Sequence, residues 1–353
     1  MTSGMASLRK MPAGEQLPFI SVVMPVRNEA GYIERTLGQL LAQRYDPSHF
    51  EILVVDGQST DETCDKVRAL AKKHAHLRLL SNPKRLSSAA RNIGVKAARG
   101  ELILIVDGHC ELESNQLLRN VAATFEQSGA DCLGRPQPLD VSDATRQQKA
   151  IAAARSSRLG HHPDSFIYSG DAQFVPAHSV AVAYRKSVFD QIGYFDEEFD
   201  ACEDVEFNTR IDQAGLRCFL TPEITVRYHP RHSLWGLFRQ LVRYGRGRVR
   251  LFRKHRDTLT IRTLLPAFFV AGCVIGAVAM WFSQTIAAIY LSTLAVYLFL
   301  VITASISIAI RERDPLSLFL LPLVFVTIHV SAGVGILLEL VSPSSRTRKP
   351  VVQ

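Results

Sequence analysis

No two of the six cysteines (Cys64, Cys110, Cys132, Cys202, Cys218, Cys273) stand at Cys-x-x-Cys spacing. That excludes a thiolate zinc centre and a disulfide scaffold, and points to reduced thiols in cytosol. Cys110 and Cys202 border motifs discussed below, but nothing beside either marks an activated nucleophile, so packing is the expectation. Residues 1–18 contain Gly4, Pro12, Gly14 and Pro18 and lack a long apolar core, so they read as a flexible tail and not as a signal peptide. There is no internal repeat. A formal charge of +8 and a pI near 9.3 would suit nucleic acid, but no nucleic-acid motif accompanies them, and the positive excess is confined to one stretch.

Between Arg227 and Arg262 lysine and arginine are dense and Asp257 is the single acid; in 264–310, immediately after, no side chain carries a formal charge. Within 231–262, Leu234, Leu237, Phe238 and Leu241 recur at helical spacing, while Arg239, Arg243 and Arg246 fall on more polar faces. A basic amphipathic segment beside an apolar block reads as contact with anionic membrane lipids, each cation contributing on the order of 1 kcal/mol. The block at 263–341 divides into about three spans, 264–282, 285–310 and 316–341, each long enough for roughly 30 Å of hydrocarbon. His329 in the third span is expected to pack and hydrogen-bond between helices, and Gly333 and Gly335 permit close helix approach. Charge orients the spans: the polar domain and the 311–314 loop face the cytoplasm, as in a multi-pass inner (plasma) membrane protein, with the Ser283-Gln284 turn outside. Three crossings then leave the tail 342–353, with Arg346, Arg348 and Lys349, on the far side, against the positive-inside tendency; a re-entrant segment or a different division of the spans would resolve this.

Upstream, short β-rich runs alternate with helical segments. Residues 19–26 read as a strand followed by Arg27-Asn28-Glu29 and a helix from about Tyr32 to Arg44. Ile52-Leu53-Val54-Val55 ends in Asp56, and Ser59 or Thr60 is placed to cap a helix that begins near Asp61. Leu77-Arg78-Leu79-Leu80 is a third strand, and Ser87 opens a helix running to Arg99 and closed by Gly100. The repetition of strand, polar loop and helix predicts an α/β protein with a mostly parallel sheet and flanking helices.

The apolar run Leu102-Ile103-Leu104-Ile105-Val106 stops abruptly at Asp107-Gly108-His109. Strand ends of such sheets open into the ligand crevice. In a continuing strand, Asp107 and His109 would share one face, where a carboxylate and an imidazole could grip a divalent ion and, through it, a diphosphate. Asp-Gly is equally a common turn pair. Asp56 ends a parallel strand too and would face the same crevice, either contacting a nucleotide or closing its own turn. Arg27, in the first loop, is placed to meet phosphate or nucleotide. His161, His162, Asp171, His178 and His229 are further candidate polar contacts, although a lone histidine is more often a structural residue.

Read in order, Ser21 through Glu29, Val54 through Thr63, Arg91-Asn92-Ile93-Gly94 through Ala98-Arg99-Gly100-Glu101, Asp107-Gly108-His109, Gly193 through Phe199 and Cys202 through Phe207 resemble the motifs of inverting family 2 glycosyltransferases. His109 in place of a second aspartate resembles the succinoglycan-type exopolysaccharide branch, and Gly57 stands where many relatives carry a second acid. The resemblance implies a GT-A, Rossmann-like fold with a nucleotide-sugar-binding half (19–110) and an acceptor-binding, catalytic half (111–230). It implies a UDP- or GDP-sugar donor contacted by Pro25, Arg27, Glu29, Asp56, Arg91, Asp107 and Gly108. It further implies a divalent metal, Mn2+ or Mg2+, at Asp107 and His109, with His229 returning toward it; imidazole favours manganese. Asp204 is the implied general base, its environment shaped by Glu203. Gln240-Leu241-Val242-Arg243-Tyr244 resembles the Gln/Arg-x-x-Arg-Trp segment of processive synthases, with tyrosine for tryptophan, which suggests Gln240 and Arg243 as acceptor or diphosphate contacts. The expected acceptor is lipid-linked or a growing polysaccharide. A processive synthase is the nearest alternative, and a non-catalytic sugar-nucleotide or lipid-binding partner the more distant one. Retention of Asp56, Asp107 and Asp204 together argues against a pure binder.

Overall fold

A computed structural model describes residues 17–161 and 165–342; His162 and most of both tails lie outside them. Two compact units result. The first takes the described residues up to 140 with those of 164–198 and 203–229, and the second those of 141–163, 199–202 and from 230 onward. Segments 141–163 and 199–202 therefore pack with the second unit although they lie within the stretch 111–230.

The first unit opens with β1 (Ile20–Val26), α1 (Ile33–Leu41), β2 (Phe50–Asp56), α2 (Thr63–Ala71), β3 (Leu77–Ser81), α3 (Ser87–Ala97) and β4 (Leu102–Ile105). There follow β5 (Cys110–Leu112), α4 (Leu117–Ser128), β6 (Cys132–Gly134) and α5 (Arg146–Arg155), the last belonging to the second unit. The chain continues through β7 (Gln173–Val175), β8 (Ala181–Arg185), α6 (Lys186–Ile192), α7 (Glu203–Gln213), β9 (Cys218–Leu220) and β10 (Val226–Tyr228). Eight strands form one sheet in the order β3-β2-β1-β4-β8-β6-β9-β7, with only β8 and β7 opposed to the rest; β10 and β5 pair separately as an antiparallel ribbon.

Alternation along the central strands explains why their sequences are apolar without interruption. Val22, Met24, Ile52, Val54, Leu102 and Leu104 face one core, while Val23, Leu53, Ile103 and Ile105 face the other. Helices cover both faces, so both sets of side chains are buried. Successive crossovers carry the chain from β1 outward to β3 and then back to β4 on the other flank of β1. The reversal creates a switch point at the carboxyl ends of β1 and β4, where such sheets bind ligands.

Two helix ends differ from expectation. Backbone geometry turns extended at Ala98 (φ −70°, ψ 133°), so α3 stops before Gly100. Glycine is needed at 100 for another reason: a Cβ there would lie 2.6 Å from the Phe19 carbonyl oxygen. Nor do Ser59 and Thr60 cap α2. The amide of Ser59 donates to Asp56 and that of Thr60 to Asn28 Oδ1, while Asp61 Oδ1 accepts from the amide of Thr63, the first residue of α2.

The second unit comprises α5, α8 (Leu234–Lys254), α9 (Ile261–Ala279), α10 (Gln284–Glu312) and α11 (Leu321–Val341). The last three are long and apolar enough to cross a membrane. Helix α8 starts where Ser233 accepts from the amide of Gly236. Leu237, Val249 and Leu251 are its buried apolar residues, with Leu234 and Leu241 partly buried in the core of Leu237, and Trp235 stacks on Phe238 at 5.4 Å. Three of the α8 arginines do not face solvent freely: Arg246 and Arg250 reach the Glu339 carboxylate at 2.8 and 2.9 Å, and Arg253 donates to the Glu339 carbonyl oxygen. Part of their charge is therefore neutralised within the protein, although the Arg246 side chain stays 41% exposed. Glycines let α8 and α11 touch backbone to backbone, since a Cβ on Gly335 would lie 2.2 Å from the Val242 carbonyl oxygen and one on Gly245 2.5 Å from that of Ala332. Gly335→Val should force the pair apart and cost about 1–3 kcal/mol, typical of overpacking, which a lowered thermal midpoint of the solubilised protein would register.

Candidate active site

Both elements of the switch point are fixed by short-range bonds. The first loop is pinned by the Glu29 amide donating to Thr63 Oγ1 at 2.8 Å and the Asn28 amide donating to Ser59 Oγ. Asp56 is almost fully buried and accepts from the Ser59 amide at 3.0 Å, so it closes its own turn at the rim. Pro25 pairs with Val55 in the β1–β2 register, and Arg27, exposed, runs alongside Gly57.

Asp107, Gly108 and His109 do not continue β4. Regular strand geometry ends at Ile105, and Gly108-His109 form a turn before β5, so the shared strand face expected for Asp107 and His109 is absent. Gly108 is required by close approach, because a Cβ would come within 2.8 Å of Val26 Cγ1 and 3.2 Å of Glu29 Cγ. From α1, the Thr36 hydroxyl lies within hydrogen-bonding distance of the Gly108 and Cys110 carbonyls, at 3.0 and 2.9 Å. His109 Nδ1 meets Glu29 Oε1 at 2.9 Å.

The β5–β10 ribbon sets Tyr228 opposite Cys110 and thereby returns His229 to this turn. The Tyr228 ring meets His109 edge-on at 5.9 Å. His229 stacks on Tyr32 at 4.9 Å; burial lowers its pKa, with Asp140 pulling the other way and His109 adding to the lowering. Cys110 is buried, and burial with the Asp107 carboxylate pushes its thiol up to about 12, which favours the protonated thiol. Among the described residues no three His, Cys, Asp or Glu side chains converge into a metal cage. Of the expected donors, His109 is paired with Glu29 and His229 is stacked on Tyr32, and the two are not drawn into one cluster with Asp107.

Across the crevice, α7 begins with Glu203 and Asp204. Its Phe207 stacks on Phe195 at 4.3 Å and meets Tyr184 edge-on at 5.4 Å, which anchors the helix in the core. The segment before it is fastened to α3: Asn92 donates to the Phe195 carbonyl at 2.9 Å and to Glu197 Oε1 at 2.8 Å, and accepts from the Phe195 amide. Beside Asn92 on α3, the nearly buried Arg91 pairs with Glu203 at 3.5 Å and lies over the Phe195 ring at 5.4 Å. Burial opposes its charge, but Glu203, then Asp204 and Asp107, raise its pKa above the ordinary value. One guanidinium thus pairs with Glu203 and lies within electrostatic reach of Asp204 and of Asp107 beyond the end of β4. The two neighbours differ: burial raises the Glu203 pKa against the pull of Arg91, whereas Asp204 is exposed and accepts from the Val205 amide at 2.8 Å. Arg91→Leu would strand a buried carboxylate and should cost about 3–5 kcal/mol; thermal unfolding with Arg91→Lys alongside, which keeps the charge, would separate charge loss from lost packing.

Sequence reasoning missed Arg135. It is fully buried at the carboxyl end of β6, which runs in the same direction as β4, and its Nη2 lies 3.3 Å from the Ile105 carbonyl and 3.4 Å from the Tyr228 hydroxyl. A single arginine after a three-residue strand carries no sequence signal. Of the other candidates, His178 binds Asp212 at 2.6 Å, a structural pair, and Asp171 is exposed. Gln240 and Arg243 belong to α8 in the second unit, where Gln240 Oε1 accepts from Arg231 and Arg243 donates to the Asp200 carbonyl.

The sheet order and the flanking helices define a GT-A-like fold. Residues 21–193 match the Glycosyl transferase family 2 model. The chain is 32% identical over 247 residues to the succinoglycan biosynthesis protein ExoA of Rhizobium meliloti (strain 1021), covering 69% of this chain and 73% of that one. It is 28% identical over 261 residues to the glycosyltransferase AglE of Haloferax volcanii, covering 72% and 81%. The chain therefore belongs to glycosyltransferase family 2. Among solved structures, the mannosyltransferase PcManGT of Pyrobaculum calidifontis, in complex with GDP-Man and Mn2+, superposes with a TM-score of 0.61 at 20% identity, over 91% of this chain and 88% of that one; at that identity the likeness concerns the fold.

Proposed function

We propose that this membrane-associated family 2 glycosyltransferase moves a sugar, with inversion, from a UDP- or GDP-sugar to a lipid-linked or polysaccharide acceptor in glycan assembly, its catalytic domain facing the cytoplasm at the inner membrane. The carrying observation is Arg91 on α3, nearly buried and paired with Glu203 at 3.5 Å at the start of α7, with the Asp204 and Asp107 carboxylates acting on it electrostatically. Asp204 is the base: its exposure leaves it free to meet an acceptor hydroxyl, whereas Glu203 is buried and committed to Arg91. Donor contacts fall to Pro25, Arg27, Glu29, Asp56, Arg91 and Gly108 around the switch point. Gln240 and Arg243 serve acceptor or diphosphate.

The donor set fits a divalent cation shared with substrate. Hard cations at phosphate sites take one or two protein ligands and complete their shell from phosphate and water, so a full protein cage is not required. Asp107 with His109 or His229 would hold it, manganese accepting imidazole more readily than magnesium does, and it would supply charge stabilisation to the departing diphosphate. The relatives' names support glycan assembly as the setting, succinoglycan for ExoA and glycosyl transfer for AglE. The test is the anomeric configuration of the first product, read by proton NMR: a β-linkage from an α-linked donor is expected, and retention would refute the assignment of Asp204 as base.

A further inference from the structure

We infer that α9 and α10 alone cross the bilayer, as a hairpin, and that α11 lies in the membrane interface on the side from which α9 departs, with both ends on that side. Three apolar helices of spanning length would ordinarily be counted as three crossings, but α11 differs from the others in what it touches. Of its most apolar stretch 44% is buried within the protein, against 6% for α9 and 22% for α10.

Those contacts are polar or belong to elements unsuited to hydrocarbon, and they occur along the whole helix. Just before α11, Asp314 meets Arg146 of α5 at 3.7 Å. Its first half packs Leu321, Val324, Phe325 and Ile328 with Ala150, Ile151 and Ala154 of α5. Near its middle, His329 bonds the carbonyl of Leu159 at 2.9 Å, in the turn that follows α5. At its end, Glu339 takes Arg246 and Arg250 of α8, as described above. Leu321 and Glu339 are about 27 Å apart along the axis, at about 1.5 Å per residue. Were α11 a crossing, either the α5 turn or the arginines of α8 would lie in or beyond the hydrocarbon. Irregular backbone exposed to lipid is not tolerated there, and each arginine near the centre costs about 2.5–3.5 kcal/mol. Elements α5 and α8 also share one side: Gln148 donates to the carbonyl of Pro230, just before α8, at 3.0 Å, and Leu237 of α8 belongs to the same apolar core as Ala150, Ile151 and Ala154 of α5.

The hairpin has the opposite character. Trp281 and Phe282 at its turn are 84% and 82% exposed, and Val274, Ile275 and Val278 are exposed on the approach. Helix α11 touches α9 early in its course, where a Cβ on Gly333 would lie 2.2 Å from the Pro266 carbonyl oxygen, and its core with α10 involves Val301 and Ile308, late in that helix. Two crossings bring the chain back at Arg311-Glu312-Arg313. The basic residues Arg346, Arg348 and Lys349 then follow on the side of α8, in accord with the positive-inside tendency.

The experiment places a short protease-cleavable tag before Met1, after Gln353, or between Phe282 and Ser283 of the full chain, and digests oriented membrane vesicles from each side. Both terminal tags should be cut from one face and the hairpin tag from the other. A carboxyl-terminal tag cut from the face opposite the amino-terminal one would overturn the inference, as would all three cut from a single face. Should the insertion reduce membrane content, labelling of Ser283→Cys by an impermeant maleimide, read against the unaltered chain, reports the same face. No turnover is needed, so the result is independent of the proposed reaction.

Discussion

Asp204→Asn should reduce sugar transfer by about 10²–10⁴-fold, the usual worth of a positioned general base, while donor binding stays at the wild-type level. The substitution preserves shape and leaves the side-chain oxygen that accepts from the Val205 amide. It removes the basic lone pair that would take the acceptor proton. Arg91 retains Glu203 as its ion-pair partner, so the fold should be undisturbed, and a thermal midpoint near that of wild type would verify this. Isothermal titration with donor nucleotide and single-turnover kinetics together decide the matter. Weakened donor binding with transfer intact would remove Asp204 from the role of base.

Asp107→Asn should impair binding as well as transfer. Donor affinity and metal response should fall together, and transfer should drop by about 10²–10³-fold, as expected when one preorganised electrostatic partner of the leaving group is lost. Asp107 follows β4 at the switch point, acts on Arg91, and shares Tyr228 and Cys110 as neighbours with Arg135. A neutral amide there is a poor ligand for a hard cation. The measurement is a manganese titration of donor binding. A midpoint unchanged from wild type would separate Asp107 from the metal, and a chelator should mimic the variant in the wild-type protein if the assignment holds.

The central strands were legible because burial on both faces demands uninterrupted apolar sequence, as in Ile52 through Val55, and because helices must return the chain between parallel strands. Asp107 was legible for a simpler reason: a strand that ends in a turn announces where the crevice opens. The strand-like partnership of Asp107 with His109 was not real, since Gly108 permits the backbone to turn against Val26 and Glu29, and only the packing of that loop reveals it. Arg91 drew notice through its motif, but its pairing with Glu203 is a tertiary contact, like that by which Asn92 fastens Phe195 to α3, and each joins residues more than a hundred positions apart. Arg135 gave no signal, because a solitary arginine looks the same in sequence whether buried or exposed. The helix-cap expectations failed at Ser59 and Gly100 where side chain and backbone served tertiary contacts in place of local ones. Apolar length identified three candidate spans, but length cannot report that Glu339 meets arginines of α8.

Release of nucleotide diphosphate by the purified protein in lipid tests the central claim most directly, across a panel of UDP- and GDP-sugars with manganese or magnesium and a membrane-lipid extract as acceptor source, wild type beside Asp204→Asn. Metal-dependent release from a particular donor, lost in the variant, is the expected result. Equal release by both proteins, or donor binding with no release from any member of the panel, would contradict a transferase whose base is Asp204, the latter favouring a sugar-nucleotide-binding partner.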